Sequence, residues 1–472
     1  MSYSAASESV MLHLGLGAFH RAHQAAYLQA LIDAGDARWS IAATNIRPEM
    51  AELLAALQGQ GGAYTLETVS PAGAFRYQRI EAIRRVLPFD ATLASAIEVA
   101  EQPSTRIISF TVTEAGYHLD PAGQLDTKAA DILADVHKLR QGQAGATIFG
   151  AVAAMLRARM RAGAGPVTLL NCDNLRHNGE RFRTMLRTFL ELVADAPLLA
   201  WTQAHTRCPN SMVDRITPRP PPELRERVRQ ATGRDDAVPV GGESFIQWVI
   251  EDDFANGRPA WERVGVQMVG SVAPYEEAKI RILNGSHSCI AWAGTLAGMN
   301  FIHEGARTPA IRQLAYDYVT DDVIPCLDRP GAPSPVDLPS YRDVVLERFG
   351  NEAVRDTNQR VAMDAFSKIP GFIAPTIRER LAAGQSIASV AVLPALFLGF
   401  LQRWHAGALP YEYQDQAMDA AAAHAICDAP DPVAAFCAEA SLWNELAGDA
   451  RLVDALRQAR HRHAARIEGG TP

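Results

Sequence analysis

Apolar positions along the first half of the chain come in short runs that alternate with helix-period stretches. Val10–Leu14 reads as a strand, followed at once by a glycine turn and an amphipathic helix over roughly residues 22–34. WSIAATNI at 39–46, RIISFTVT at 106–113 and PVTLLN at 166–171 are further strand-like runs, and VGVQMVGSV at 264–272 is a weaker one. ATIFGAVAAMLRARMRAG, between two of them, has the spacing of a helix. Strands that alternate with helices predict a mostly parallel sheet covered on both faces. Beyond about residue 273 the strand signals stop, and helix-period sequence runs to the C-terminus, broken by RPGAPSPVDLP at 329–339. The pattern predicts an α/β chain in two parts: residues 1–272, where strands and helices alternate, and residues 273–472, mainly α-helical.

At 472 residues the chain exceeds one ordinary core, which agrees with two domains. The most apolar run, SVAVLPALFLGFL at 389–401, contains Pro394 and is too short to span a bilayer, so it reads as a buried helix. A formal net charge of −8 gives no electrostatic case for nucleic acid or an anionic membrane as partner. The six cysteines form no C-x-x-C pair, and the N-terminus has no basic-then-apolar leader, so a cytoplasmic protein is expected. TPRPPPEL at 217–224 reads as a surface loop, and the basic run RQARHRHAARIEGG as a solvated helix end.

Two segments carry candidate chemistry. GLGAFHRAH follows the first strand: Gly15 permits a tight turn and Gly17 lets backbone approach a pyrophosphate, while His20 stands where a dinucleotide fingerprint has its third glycine. At the tip of the second strand stand Asn45, Arg47 and Glu49. Glu49 suits the adenosine ribose of NAD and Arg47 a 2′-phosphate; NAD is the expected cofactor and NADP the alternative.

In EEAKIRILNGSHSCIAW, Lys279, Asn284 and His287 fall at roughly 0°, 140° and 80° on a helix of about 100° per residue, within one sector. A partly desolvated lysine is pulled toward its neutral form and can act as a general base. An interior lysine snorkelling outward beside a satisfied core histidine would give the same pattern. There is no H-E-x-x-H and no tight Cys/His spacing, so a metal-independent reaction is expected.

HLGLGAFHRAHQ, SFTVTEAGY, NCDNLRHNG, CPNSMVDRITP, ESFIQWVIEDDF and the lysine segment together resemble the polyol-specific long-chain dehydrogenases, the mannitol dehydrogenase family. The resemblance runs from about residue 10 to at least residue 404. It implies a Rossmann-type domain and a helical domain with the active site between them, a monomer, and oxidation of a sugar alcohol to a ketose with lysine as base. D-Arabinitol is the first expected substrate, with D-mannitol or mannonate as alternatives. On the matching positions Lys279 is the base, Asn284 and Asn174 stabilise the alkoxide, and His287 hydrogen-bonds a substrate hydroxyl. Asp214, Arg360 and Lys368 are implied to bind substrate, with Val213 narrowing the pocket mouth. Gly15, Gly17, Ala18, Phe19, Arg47, Glu49, Thr113 and Glu114 are implied at the cofactor.

Structural alternatives stand beside several of these. Asn174 lies where turn chemistry favours Asx residues. Asp214 has Arg215 beside it as an ion-pair partner. Arg360 and Lys368, about 80° apart if on one helix, have Asp356 and Asp364 within reach. His13, His23 and His177 read as structural or cofactor-adjacent. From a different class, a non-catalytic sensor of nucleotide or polyol would keep the fold and lose the proton-handling residue; Lys279 argues against it.

Overall fold

The computed structural model describes residues 8–112, 114–120 and 123–463. The chain divides into two compact units, Met1–Ser70 with Ala74–Ala273, and Pro71–Gly73 with Pro274–Pro472.

In the first unit six strands pair side by side in the order Ile83–Val86, Trp39–Thr44, Ser9–Leu14, Thr105–Phe110, Val167–Asn171 and Thr206–Arg207. Every pairing in this sheet is parallel. In chain order this is 3-2-1-4-5-6, the doubly wound arrangement whose switch point lies between the first and fourth strands. Successive side chains of a strand point to opposite faces, so a fully buried strand feeds two cores. Leu12 and Leu14 belong to one apolar cluster with Ile108 and Phe110, and Met11 to the other with Ile41 and Ile107.

The strand read at 106–113 stops at Phe110. The helix read over 22–34 is two, Ala18–Ala22 and Gln24–Asp33. His23 breaks it, with φ −119° and ψ −84°, and its Nε2 lies 2.8 Å from the Gln247 carbonyl oxygen. The segment 264–272 contributes only Gln267–Val269, and not to the large sheet. It is the edge of a three-stranded sheet with Gln247–Glu251 and Ser211–Asp214, and its partly exposed side chains cannot serve a strand buried on both faces. A second small sheet joins the hairpin Tyr64–Val69/Phe75–Ile80 to Val240–Glu243.

The helix Ile148–Ala162 is capped as its sequence suggests. The Thr147 side chain accepts from Gly150 N–H, and Gly163 closes it at φ +65°. Asp135 accepts from Ala146 N–H, Thr147 N–H and the Thr147 hydroxyl.

The second unit is helical, with two isolated bridges and no strand among its described residues. At its centre Gly285–Leu296 is buried along its whole length. The apolar run at 389–401 lies largely in the helix Val392–His405, buried through Leu401. Among the described residues no helix is long and apolar enough to cross a membrane. RPGAPSPVDLP, through Asp337, separates the helix Ile324–Leu327 from Leu338–Phe349, which its last two residues open, and TPRPPPEL is an irregular, mostly exposed segment. The basic C-terminal run is helical through Arg462, and its residues from 464 lie outside the described residues.

In NCDNLRHNG, Gly179 lies where a Cβ would stand 2.3 Å from the Pro209 carbonyl oxygen and 2.5 Å from that of Cys208. Backbone cannot yield as a flexible side chain does, so Gly179→Ala should destabilise the first unit by about 1–3 kcal/mol. The check is the urea midpoint of the variant at unchanged m-value.

Candidate active site

The first unit contributes a cleft of about 350 Å³ at the carboxyl ends of the central strands, lined by Gly15, Gly17, Asn45, Arg47, Glu49 and Val112, among others. Gly15 has φ +101°, and a Cβ on it would lie 2.0 Å from the Thr111 carbonyl oxygen, so no other residue fits. Gly17 has no such neighbour: its absent side chain leaves space rather than avoiding a clash. Under the turn, His13 Nε2 lies 3.3 Å from Gly15 O and Nδ1 2.9 Å from Ser109 Oγ. A carbonyl only accepts, which assigns the proton to Nε2 and leaves Nδ1 to accept from Ser109. Burial pushes His13 down to about 3, and burial with His13 beside it holds His20 well below its ordinary value. The two rings stack with centroids 3.4 Å apart. His20 thus fills the third-glycine position with a flat neutral ring.

Arg47 and Glu49 are exposed at the cleft; Ala18 and Phe19 are half-buried in the first helix, with Phe19 stacked on His23. Thr113 lies outside the described residues, as does the side chain of Glu114, whose backbone opens the turn Glu114–Tyr117. Asn45 lines the cleft too, and its buried Nδ2 has no hydrogen-bond partner among the described residues. A donor left unpaired beside a glycine turn with open space fits a dinucleotide's oxygen-rich groups. Ile46, Met50 and Ile148 give the cleft its apolar wall; nothing in their sequence pattern distinguishes them from core residues.

The loop after Val167–Asn171 holds Asn174 exposed between buried Asp173 and half-buried Leu175. Asn178, fully buried, donates to the carbonyls of Asp173 at 3.0 Å and Ser211 at 2.8 Å, and accepts from the N–H of Gly179 and Ser211. Asp173 accepts from Val112 N–H at 2.7 Å and from the Tyr117 hydroxyl. Burial pushes its carboxyl up to about 7 although both bonds pull the other way. Asp214 is buried at the end of its strand. Arg215 donates to the carbonyls of Glu243 and Ala22. Val213 is 3% exposed and packs in the same apolar cluster as Trp248. His177 is exposed with φ +50°, preceding the helix Asn178–Val193.

In the second unit, Lys279–Asn284 winds as a π-helix leading into Gly285–Leu296. Wider i→i+5 winding makes residues five apart near-neighbours across one turn. Asn284 therefore comes closer to the Lys279 sector than the 140° of an ideal α-helix. The turn is fixed from outside: the Tyr318 hydroxyl donates to Arg281 O at 2.9 Å, and a Cβ on Gly285 would lie 2.4 Å from that hydroxyl oxygen. Arg281 is clamped by Glu277 at 2.8 Å and Glu379 at 2.7 Å. Lys279 and His287 are buried at 7% and 8% exposure, and Asn284 is half-buried.

His287 stacks on Phe349, ring centroids 4.2 Å apart, and its Nε2 lies 3.3 Å from Asp356 Oδ2 with the N–H off line. Burial lowers the His287 pKa and Asp356 partly restores it. Burial works against the Asp356 charge, yet His287 and Arg360 outweigh it and hold the carboxyl below its ordinary range. Arg360 meets Asp356 through Nε at 2.7 Å and Nη2 at 2.5 Å.

Arg360 and Lys368 do not share a helix. Asp364, at φ +58°, separates Asn358–Ala362 from Ala365–Lys368, so the 80° relation has no meaning here. Lys368 donates to Val361 O at 2.6 Å and Met363 O at 2.5 Å, tying the two helices together. Burial lowers it to about 8, with Asp364 opposing and Arg360 assisting. Among the described residues no group of three or more His, Cys, Asp or Glu could hold a metal ion.

A glycine-turn dinucleotide cleft on one unit and a buried lysine–asparagine–histidine turn on a helical second unit define a two-domain dehydrogenase. Residues 9–263 match the mannitol dehydrogenase Rossmann domain and residues 271–463 the mannitol dehydrogenase C-terminal domain. The chain belongs to the mannitol dehydrogenase family, and a nicotinamide dinucleotide is its cofactor. It is 59% identical to D-arabinitol 4-dehydrogenase of Ralstonia nicotianae over 97% of both chains. It is 52% identical to D-arabinitol 4-dehydrogenase of Klebsiella pneumoniae over 95% of this chain and 96% of that one. Among solved structures, Pseudomonas fluorescens mannitol 2-dehydrogenase in ternary complex with NAD and D-mannitol is similar at a TM-score of 0.82 and 34% identity, covering 99% of this chain and 94% of that one.

The Asp356 pairing sets an acid limit on the second unit. A carboxyl whose folded pKa lies below its ordinary 3.8 contributes stability that is full above that value and lost as pH falls through the folded one. Asp356→Asn should cost about 1–2 kcal/mol at pH 7. The difference from wild type should shrink below about pH 4 in paired urea titrations.

Proposed function

We propose that this chain is a metal-independent polyol dehydrogenase that oxidises D-arabinitol at C4 to D-xylulose with NAD. The observation that carries the reading is Lys279, buried at the head of a π turn with Asn284 and His287 following on the same helix. The names of the two D-arabinitol 4-dehydrogenases support the substrate, and the mannitol 2-dehydrogenase complex supports NAD.

Oxidation of a secondary alcohol removes a hydride from carbon and a proton from oxygen. The nicotinamide, when bound, supplies the hydride acceptor. Neutral Lys279 takes the hydroxyl proton. Asn284 and Asn174 donate N–H groups to the oxygen as negative charge develops. His287, its ring set by Asp356 and Phe349, binds a neighbouring hydroxyl, and Asp214, Arg360 and Lys368 complete the substrate contacts. Gly15, Gly17, Ala18, Phe19, Arg47, Glu49, Thr113 and Glu114 form the cofactor set. The chain works as a soluble cytoplasmic monomer.

A neutral polyol suits these cations better than a mannonate-type carboxylate. The Arg360 fork is already matched by Asp356, and Lys368 spends two of its three N–H donors on carbonyls. An anionic substrate would meet a guanidinium charge already offset by Asp356 and a single remaining N–H of Lys368.

Lys279→Ala should abolish turnover while leaving NADH binding intact. Asn284→Ala and Asn174→Ala should each lower kcat roughly 10²–10³-fold. Dialysis against EDTA should leave the rate unchanged; activity lost to EDTA and restored by zinc would sink the metal-free mechanism. The assay is cofactor reduction at 340 nm across D-arabinitol, D-mannitol, D-sorbitol and D-mannonate, with NAD and NADP in parallel. Multiple turnovers with any polyol dismiss the sensor, and equal kcat/KM for D-mannitol would remove the preference for D-arabinitol.

Lys368 gives this reading a pH signature. Its ammonium, lowered to about 8, loses its charge above that pH. The KM for polyol should therefore rise above about pH 8 in wild type, and less steeply in Lys368→Arg, whose side chain stays charged.

A further inference from the structure

The loop that carries Asn174 is held at one residue through nearly every polar atom that residue has. Asp173 N–H donates to Asn171 Oδ1 at 2.9 Å. Its carbonyl accepts from Leu175 N–H at 2.9 Å and Asn178 Nδ2 at 3.0 Å. One carboxylate oxygen accepts from Val112 N–H at 2.7 Å and the other from the Tyr117 hydroxyl. The Tyr117 oxygen in turn accepts from Asn171 Nδ2 at 2.8 Å, closing a ring of contacts around the loop. Asp173 is 8% exposed, whereas Asn174, the next residue, is exposed.

We propose that Asp173 is a positioning residue for Asn174, locking the loop after Val167–Asn171 to the chain after Thr105–Phe110 so that the Asn174 amide keeps a fixed direction. The proposal rests on the reading of Asn174 as a donor to the developing alkoxide. A donor of that kind works only where its N–H meets the oxygen in the transition state, and a misplacement of about 1 Å can cost roughly 10²-fold in rate.

A purely structural role accounts poorly for the choice of a carboxyl here. Burial raises its pKa to about 7, which marks a charge the folded state holds at a cost. Among the described residues no cation bonds to it; the partners are a tyrosine and a peptide N–H. What the carboxylate offers is two acceptors with fixed directions, one for each chain segment. An asparagine keeps the shape and one acceptor, but turns an NH₂ toward a tyrosine oxygen that already receives one from Asn171.

The test is a double-mutant cycle on kcat with D-arabinitol and saturating NAD, using Asp173→Asn, Asn174→Ala and the pair. Folded sites are counted by NADH fluorescence titration. Asp173→Asn should lower kcat roughly tenfold or more per folded site, and should add nothing in the Asn174→Ala background. A residue that shapes the site by a route other than Asn174 would lower kcat per folded site by the same factor in both backgrounds, and that additive result overturns the proposal. So does Asp173→Asn at wild-type kcat. If Asn174→Ala alone keeps wild-type kcat, the reading of Asn174 fails and takes this proposal with it; that outcome is identified by the single variant. Should Asp173→Asn bind no NADH, Tyr117→Phe removes one of the two ties alone. It should cost several-fold in kcat, again absent without Asn174, and wild-type turnover in that variant overturns the proposal.

Discussion

Two neighbouring strands end almost in contact, and the nucleotide side of the first unit is built on that closeness. Leu14 O accepts from Thr111 N–H at 3.0 Å, and the Gly15 Cα faces the Thr111 carbonyl where no Cβ fits. The chain must turn left-handed there, so the turn is glycine by necessity. Beneath it, His13 ties the Gly15 carbonyl to Ser109 on the adjacent strand, so the turn and both strand ends move together. A third glycine in a dinucleotide fingerprint serves close packing of helix on strand. Here His20 lies flat on His13, and two neutral rings at stacking distance achieve the same approach. The departure from the fingerprint is a different solution to one packing problem.

In the second unit the corresponding constraint is a turn wound one residue wide. A π turn gives up regular α-helical bonding, and it persists because its surroundings leave no alternative. Tyr318 occupies the space where a side chain on Gly285 would go and donates to the Arg281 carbonyl. Arg281 itself is held between two glutamates. Lys279 and Asn284 bracket the widened turn, and the buried helix behind them fixes its axis.

How much of this was legible follows from the range of the forces. Gly15, the parallel strands and the helical second half were readable because a tight turn and a periodic apolar pattern are local. The hairpin Tyr64–Val69/Phe75–Ile80 was readable in principle, since YTLETV alternates and SPAGA is turn sequence. Asp173, Asn178 and Tyr117 were not, because each acts through partners distant in sequence, such as Ser211 for Asn178. Extrapolating one helix through Arg360 and Lys368 failed at Asp364, a left-handed residue that periodicity does not reveal. The sector estimate for Lys279 and Asn284 assumed α-helical winding, which a tyrosine in a later helix overrides. The dinucleotide cleft was found from Gly15, Arg47 and Glu49, while its apolar wall looked like core.

Two buried aspartates, one in each unit, show how partners decide the charge of a desolvated carboxyl. Asp356 and Asp173 both suffer desolvation, which raises a carboxyl's pKa. Asp356 faces His287 and the Arg360 guanidinium, and ends below its ordinary range as a fixed anion at any physiological pH. Among the described residues Asp173 accepts from a phenol and a peptide N–H, and burial pushes it up to about 7. The difference fits their places. A permanent anion suits the wall that orients an imidazole and neutralises an arginine. Asp173 accepts both of its hydrogen bonds as a carboxylate, so the contacts that hold the loop favour the ionised form that burial opposes.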